Sequence, residues 1–439
     1  MRVASRAPIA CDMHRIRKCR RSFPCTSRPY TGPGRTVQIG IALVFLATAF
    51  YLGRFGAEDL SEALTYTGRF TGALLLVGSA ASLLGLIAVL DHWFWRTVRF
   101  SGLVALFGAA TALAANLMLF TVTLMDGDWT VYLPIWAALT VGSGWALFTL
   151  LRSPGVVILA PKHLAVAAAA GAVVTAANFG YTQLYKPYQS QINPLLDVGF
   201  GDPTFTSDGS AVAFPVNMRI ENRSSVPLYI LGAEYFVWGR DATLTASDRT
   251  AADWRSVSEG DFSSRTEVRD YKTVQAGNIW NLPPGSWLEP GQTITTSKIA
   301  QLPLPTTYDD LMVAAYVGVV RKDRLTLDQD FSFPKEASWK SHPCLPPGLE
   351  NKSGDFLKRQ ARIHENNAIA NHIRDPRYIT MWWIFDNPYP ELALQVVIAR
   401  NGEECHPITS TESNGLISRY GLMLQRTGWA HKSLWGLRH

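Results

Sequence analysis

The chain has 439 residues, a formal net charge of +6 and a pI near 9.0, which is long enough for two or three domains. Residues 1–181 hold 15 Lys and Arg against 7 Asp and Glu, whereas residues 182–439 hold 26 against 28. Because the positive excess is confined to the beginning of the chain, we do not expect nucleic acid as a partner.

Residues 1–36 form a basic tail with nine Lys and Arg and a single acid, Asp12. A block of positive charge before an apolar run is typical of a signal that keeps a tail in the cytoplasm. Two alternatives begin in the same way, a twin-arginine export signal around "RRSF" at 20–23 and a signal peptide cleaved after Ala49. Met13 is an alternative start.

Five apolar segments follow the tail, and each approaches the roughly 20 residues that cross the hydrocarbon core of a bilayer. We predict five transmembrane helices, at 37–53, 71–90, 101–125, 130–151 and 163–181. The first is the shortest.

The loops between these segments alternate in charge. Segment 54–70 holds more acids than bases and 126–129 reads "DGDW", whereas 91–100 and 152–162 each hold two Lys or Arg. Since Lys and Arg favour cytoplasmic loops, we expect a multi-pass protein of the cell membrane with a cytoplasmic N-terminus. Five crossings would then place the remainder of the chain outside the cytoplasm.

The predicted spans offer little chemistry. They hold no ionisable residue well inside the membrane, which argues against a pump or an ion-coupled transporter. Small residues recur four positions apart, as at Gly78 and Ser82 or Gly108 and Ala112. This spacing lets helices approach closely, either within one bundle or at the face of a homo-oligomer.

Beyond a juxtamembrane linker at 182–194, the hydrophobic period changes from helical to two. "AVAFPVNMRI" at 211–220 places alternate apolar residues on one face, and Pro215 suggests an edge strand. The strand at 226–239 is interrupted at Gly232, as a β-bulge would be, and Pro290-Gly291 fits a type II turn. We predict an extracytoplasmic, mainly β, sandwich-like domain at 195–333, including a hairpin around 321–323.

Residues 334–439 are less regular, and we expect an α+β extension of the same domain, with a second domain as the alternative. Residues 353–375 read as a helix, and two later runs read as strands. The last stretch, from residue 415, is basic and carries Trp429 and Trp435. It is expected to pack against the domain or, alternatively, to lie on an anionic membrane surface.

Helices followed by "FPVNMRIENRSSVPLYILGAEYFVWG" and "LEPGQTI" resemble uncharacterised bacterial multi-pass membrane proteins with an extracytoplasmic immunoglobulin-like or late-embryogenesis-like β-sandwich. The resemblance covers roughly residues 195–300. It implies a β-sandwich outside the membrane and brings no catalytic residues.

No catalytic, cofactor-binding or metal site is predicted. His364 and His372 are eight positions apart, too far along one helix to share a metal ion, and the H-E-x-x-H pattern is absent. The remaining candidates are Cys344 and Cys405, the only cysteines of the second half.

Outside the cytoplasm these two cysteines are expected to form a disulfide. The alternatives are two free thiols or a zinc site in which His342 and His406 join them.

We therefore expect an integral membrane protein that displays a β domain for binding, envelope assembly or sensing. Its partners would be the lipid bilayer and an envelope polymer or membrane protein. No catalysis or cofactor is expected. The alternative is a membrane-bound enzyme or transport component with a site that no motif reveals.

Overall fold

A computed structural model shows a bundle of long helices joined to a domain of three β-sheets. It describes residues 34–95, 97–98, 100–153, 192–240, 250–259, 272–279, 283–341, 344–345, 355–385, 393–406, 409–434 and 437. Most of the basic tail and of the 182–194 linker lies outside these ranges.

The bundle contains four helices long and apolar enough to cross a membrane: α1 (Arg35–Glu62), α2 (Tyr66–Leu90), α3 (Ser101–Asp126) and α4 (Tyr132–Arg152). Four of the five predicted spans are thus confirmed as helices. The fifth, at 163–181, lies outside the described residues, so the helix count here is four. Helix α1 runs nine residues beyond its predicted end, because Phe55 and Asp59 are buried against neighbouring elements.

The four helices alternate in direction, and small residues let them approach closely. A Cβ atom on Gly108 in α3 would come within 2.6 Å of the Gly85 Cα atom in α2. The recurring small residues in these two helices therefore pack within the bundle. In its centre, the Asn116 amide donates to Thr48 Oγ1 at 2.9 Å and to Ser143 Oγ at 2.8 Å, which joins α3 to α1 and α4.

Three sheets form the β domain. The first has four strands, β1 (Pro194–Phe200), β2 (Thr204–Phe205), β3 (Ala211–Asn222) and β7 (Thr293–Pro303). The middle sheet has six, β4 (Leu228–Arg240), β5 (Lys272–Asn278), β6 (Trp287–Leu288), β8 (Asp310–Arg321), β14 (Met423–Arg426) and β15 (Ala430–Ser433). The third has five, β9 (Leu325–Leu327), β10 (Glu336–Ala337), β11 (Asp355–Glu365), β12 (Tyr378–Phe385) and β13 (Leu394–Ala399).

Short helices complete the described part of the domain: α5 (Ala251–Ser258), α6 (Ala368–Ile373) and α7 (Ser410–Tyr420). Strands β4 and β8 of the middle sheet are buried along almost their whole length. One face of the middle sheet packs on the first sheet through residues such as Val237 and Val313. Its other face packs on the third sheet through Phe236 and Tyr316. The domain is therefore a β-sandwich with a third sheet stacked on it.

Several local predictions are confirmed. The alternate residues Val212, Phe214, Val216, Met218 and Ile220 of β3 are buried. The register between β4 and β8 shifts between Ile230 and Gly232, as expected of a bulge. The turn at Pro290-Gly291 forms, with Gly291 at a φ of +76° and a hydrogen bond from Gln292 N to Glu289 O.

The edge-strand prediction from Pro215 is wrong, because β3 lies between β1 and β2 on one side and β7 on the other. The proline is tolerated because it lies between the residues paired to β1 and those paired to β2. There its carbonyl accepts a hydrogen bond from Gly201 N, so no ladder donor is needed on that side.

Two further predictions in the second half are wrong. The segment 353–375 is not one helix; its described part is β11 followed by α6. Its Lys, Arg and Gln residues favour a helix, but β11 is flanked by β12 and β9, and tertiary pairing overrides local propensity. The hairpin at 321–323 does not form either, because β9 pairs with β11 in the third sheet rather than with β8.

The C-terminal stretch packs into the domain. Both β14 and β15 pair with β8, and Leu434 is fully buried in the core between the first two sheets. Trp429 packs against Trp238 with ring centroids 5.2 Å apart. The alternative of a segment lying on a membrane surface therefore does not hold for these residues.

Candidate functional site

The candidate site is the junction where α6 of the β domain rests on one end of the helix bundle. This end, called the junction end below, carries the α1–α2 turn and the α3–α4 turn. The opposite end carries the α2–α3 turn and the end of α4, which His92 Nε2 and Ser153 Oγ join at 3.3 Å. The contacts between α6 and the bundle lie at the junction end.

An apolar contact fills the centre of the junction. Ala368, Ile369 and Ile373 of α6 pack into a cluster formed by side chains of the four long helices. The bundle residues of this cluster are Leu52, Phe55, Leu75, Leu119, Trp136 and Leu139. Burial of α6 side chains among bundle side chains stabilises the attachment through the hydrophobic effect.

Hydrogen bonds from both turns surround this apolar centre. At the end of α1, Asp59 Oδ1 accepts a hydrogen bond from Ala368 N at 2.5 Å. At the start of α4, the Asp128 backbone N–H donates to Ile373 O at 2.9 Å, and Asp128 Oδ2 accepts from Asp375 N at 3.0 Å. The two acids therefore hold the two ends of α6, and Asp59 acts on the N-terminal end, where a negative charge is favourable.

His372 is the polar side chain at the middle of this contact. Its Nδ1 lies 2.7 Å from Ala368 O and its Nε2 lies 3.2 Å from Arg54 Nη2. Since a carbonyl only accepts and a guanidinium only donates, the ring carries its proton on Nδ1. The imidazole also packs between the rings of Phe55 and Tyr132, with centroid distances of 5.0 and 5.6 Å.

A cavity of about 250 Å³ opens beside α6, between the end of α1 and the third sheet. Five carboxylates line it: Glu58, Asp59, Glu62, Asp328 and Glu365. His364, predicted together with His372 on one helix, instead lies on β11 and contacts Asp328 Oδ1 through Nε2 at 2.7 Å. The structure therefore separates the two histidines, with His372 part-buried in the junction and His364 at the cavity wall.

From the sequence, Asp59 and Asp128 are recognisable only as charges of two loops. The signal is the excess of acids in these loops, which the charge alternation predicts to lie on the same side of the membrane. Their pairing with α6 could not be predicted, because local propensity at 353–375 favours one helix where the chain forms a strand and a short helix.

The two cysteines singled out by sequence do come together. The Sγ atoms of Cys344 and Cys405 lie at disulfide-bonding distance, with Cα atoms 5.9 Å apart. The buried Lys358 ammonium lies 4.0 Å from Cys344 Sγ and donates to Glu404 Oε1 at 2.9 Å. Burial opposes ionisation of Glu404, but this hydrogen bond and the charge of Lys358 lower its pKa.

The zinc alternative finds little support in this geometry. Cys344, Cys405 and Glu404 place three ligand atoms within 4.8 Å of one another, but the ammonium group of Lys358 would repel a metal ion there. His342 lies outside the described residues, and His406 belongs to none of the described groups of metal-ligating atoms.

A buried carboxyl also lies between the middle and third sheets. Burial raises the pKa of Glu234 to about 8, while the positive charge of Arg359 acts in the opposite direction. The Asn278 amide faces this carboxyl across the β4–β5 pair, and with its NH₂ group turned toward Glu234 it donates at 2.9 and 3.1 Å. Glu234 is only 1% exposed, so the carboxyl is enclosed between the sheets.

No family model matches the chain, and no curated protein matches it. Among solved structures, a protein from Bordetella pertussis described as ApaA is 15% identical, with a TM-score of 0.17 over 30% of this chain and 84% of that chain. A second target of the Northeast Structural Genomics Consortium is 8% identical, with a TM-score of 0.17 over 30% of this chain and 75% of its own. Likeness at this level carries no argument about function.

Proposed function

We propose that the protein is a multi-pass membrane anchor that holds a β domain firmly against the extracytoplasmic face of the cell membrane, where the domain binds an envelope polymer or a membrane protein. The observation that supports this most directly is the seating of α6 on the junction end. A domain attached only through a linker would need no such contact. A domain fixed by apolar packing and hydrogen bonds keeps one orientation relative to the bilayer.

The path of the chain supports a fifth crossing at 163–181. Helix α4 ends at the end of the bundle opposite the junction, whereas the β domain, beginning at Pro194, is docked at the junction end. A crossing at 163–181 would connect these two ends. A helix of 19 residues is about 29 Å long, close to the ~30 Å of the hydrocarbon core.

The charges of the turns support an extracytoplasmic β domain. The junction end carries Glu58, Asp59, Glu62 and Asp128 against Arg54 and Arg69, while the α2–α3 turn and the end of α4 carry Arg96, Arg99 and Arg152 against Asp91. Lys and Arg mark the cytoplasmic side. The order of elements, helices first and a sandwich after them, also agrees with the resemblance to bacterial proteins with an extracytoplasmic sandwich, which we retain as part of this proposal.

Cysteine labelling tests the sidedness. An impermeant maleimide applied to intact cells should leave Cys11, Cys19 and Cys25 of the tail unlabelled and should label them after lysis. In the same cells, the non-reduced protein should yield a peptide linking Cys344 to Cys405, since the extracytoplasmic compartment is oxidising. Labelling of the tail before lysis would contradict the proposed topology.

Two matched substitutions test whether the docked domain carries the function. Ile373→Asp places a charge in the junction, where Ile373 is 1% exposed, whereas Ile417→Asp changes a residue of α7 that is 39% exposed. We expect Ile373→Asp to make the junction sensitive to protease and to reduce retention of the full-length protein on isolated envelope material. Ile417→Asp should do neither. Equal retention of both variants and the unchanged protein would argue against a role for docking.

A further inference from the structure

The cavity at the junction holds more negative than positive charge. Of its five carboxylates, Glu58 pairs with Arg54 at 3.0 Å and Glu365 pairs with Arg374 at 2.9 Å. No Lys or Arg of the described chain forms an ion pair with Asp59, Glu62 or Asp328. The cavity therefore has an unbalanced negative charge, and a low-dielectric site attracts a compensating cation more strongly than open water does.

The buried side chain of Asp59 is an independent observation in favour of a bound cation. Its side chain lines the cavity wall yet is only 1% exposed. One carboxylate oxygen, Oδ1, accepts from Ala368 N, whereas Oδ2 is buried and has no hydrogen-bond partner in the described structure. An unpaired buried carboxylate oxygen is costly. A cation that reached this oxygen from the cavity would be the partner that it lacks.

The arrangement of the acids favours an ammonium group over a metal ion. A divalent cation such as Ca²⁺ needs six to eight oxygen ligands around one point. Among the described residues, the carboxylates of this cavity do not form a group whose ligand atoms converge. An ammonium group carries one charge and donates three hydrogen bonds, so one or two carboxylates suffice when neutral oxygen atoms, such as those of the Asn side chains that line the cavity, accept the others.

We propose that the junction cavity binds a small organic cation with a primary ammonium group, in contact with Asp59 and Glu62. Its volume of about 250 Å³ is below the ~300–1,000 Å³ typical of drug-sized ligands, so the occupant is small. The ammonium group belongs either to a free amine or to a lipid headgroup, because the cavity lies at the end of the membrane-spanning helices. The inference goes beyond the proposed function and does not depend on which side of the membrane carries the β domain.

Calorimetric titration of the full-length protein in micelles tests the proposal, with 1,4-diaminobutane as the probe. Asp59→Asn keeps an oxygen for Ala368 N but removes the charge, and we expect it to weaken binding at least about tenfold. Glu62→Gln at the exposed rim should weaken binding about threefold and serves as the second variant if Asp59→Asn fails to fold. Asp202→Asn, in the distant first sheet, should bind like the unchanged protein.

Three outcomes would overturn the proposal: no heat with 1,4-diaminobutane, affinities that neither Asp59→Asn nor Glu62→Gln reduces, or binding of Ca²⁺ in preference to the amine. Reconstitution in nanodiscs identifies the source of the ammonium group. If phosphatidylethanolamine raises the melting temperature relative to phosphatidylcholine, and Asp59→Asn abolishes the rise, the headgroup is the ligand. If only the free amine raises it, the ligand is soluble.

Discussion

The bundle and the β domain differ in the large apolar side chains that they leave exposed. Many such side chains of the bundle, among them Ile39, Leu43 and Phe50, are exposed, although others such as Phe45 and Trp136 are buried. In the β domain, large side chains such as Trp238 and Trp382 are buried. This contrast is expected if lipid surrounds the bundle and water surrounds the domain, since helices in lipid associate through close packing rather than through the hydrophobic effect.

The largest predicted effect is in the β domain. Phe236 is 2% exposed and stacks on Trp238 with ring centroids 5.3 Å apart. Truncation of such a side chain removes buried area and leaves a cavity. We expect Phe236→Ala to lower the free energy of unfolding by about 3–5 kcal/mol in denaturant titrations, while Phe205→Ala, at a residue 52% exposed, should change little. A loss below about 1 kcal/mol would show that this core is loosely packed.

The second prediction concerns the stability of the β domain as a function of pH, which depends on Glu234. Below the unfolded pKa of about 4.5, Glu234 is neutral in both the folded and the unfolded state and does not change the stability. Because burial raises its pKa in the folded protein to about 8, the free energy of unfolding falls as the pH rises from about 4.5 to about 8. Glu234→Gln removes this loss. We expect the variant to match the parent protein at pH 5 and to exceed it by a few kcal/mol, on the order of 2 or more, at pH 8.5. Parallel pH profiles would refute the assignment.

In the bundle, the sharper test enlarges a residue instead of truncating one. Gly108→Val should push α3 away from α2, since a Cβ atom there would meet the Gly85 backbone at 2.6 Å. Overpacking of this kind costs about 1–3 kcal/mol. Gly144→Val on α4 is the matched control, because the nearest side-chain atom to its Cβ position is 3.9 Å away. Thermal unfolding in micelles measures both, and equal melting temperatures would contradict the close approach of α2 and α3.

The smallest effect concerns the polar cluster at the centre of the bundle. Asn116→Leu removes the hydrogen bonds to Thr48 and Ser143, and such interhelical bonds contribute only about 0.6 kcal/mol on average. We expect a loss of this size in a folding titration in micelles. A double-mutant cycle with Thr48→Val measures the coupling directly, and a coupling above about 2 kcal/mol would mean that Asn116 does more than join helices.

The bundle and the β domain also differ in how much of their fold could be predicted from the sequence. The long helices followed from apolar length alone, and β3 followed from its period of two. The stacking of a third sheet did not, because β4 and β8 are buried on both faces and so show no alternation that would distinguish one layer from two.

The candidate site could be predicted only in part. The pairing of Cys344 with Cys405 was available from composition, since the second half holds no third cysteine. The junction was not, because it joins Asp59 to Ala368, which are 309 positions apart. Moreover, the strand that precedes Ala368 contains strong helix formers. Its structure is decided by pairing with neighbouring strands, which a local sequence pattern does not show.

The position of β8 in its sheet affects how the domain folds while the chain is being synthesised. Its backbone partners on one side come from near the end of the sequence: Thr427 N donates to Ala315 O at 2.9 Å, and the two residues are 112 positions apart. At a translation rate of about 5–20 residues per second, roughly 6–22 seconds pass before β14 and β15 emerge to cover that edge. Throughout this interval that edge of β8 is open even when β4 already covers the other edge, so the nascent domain can pair with other chains through it.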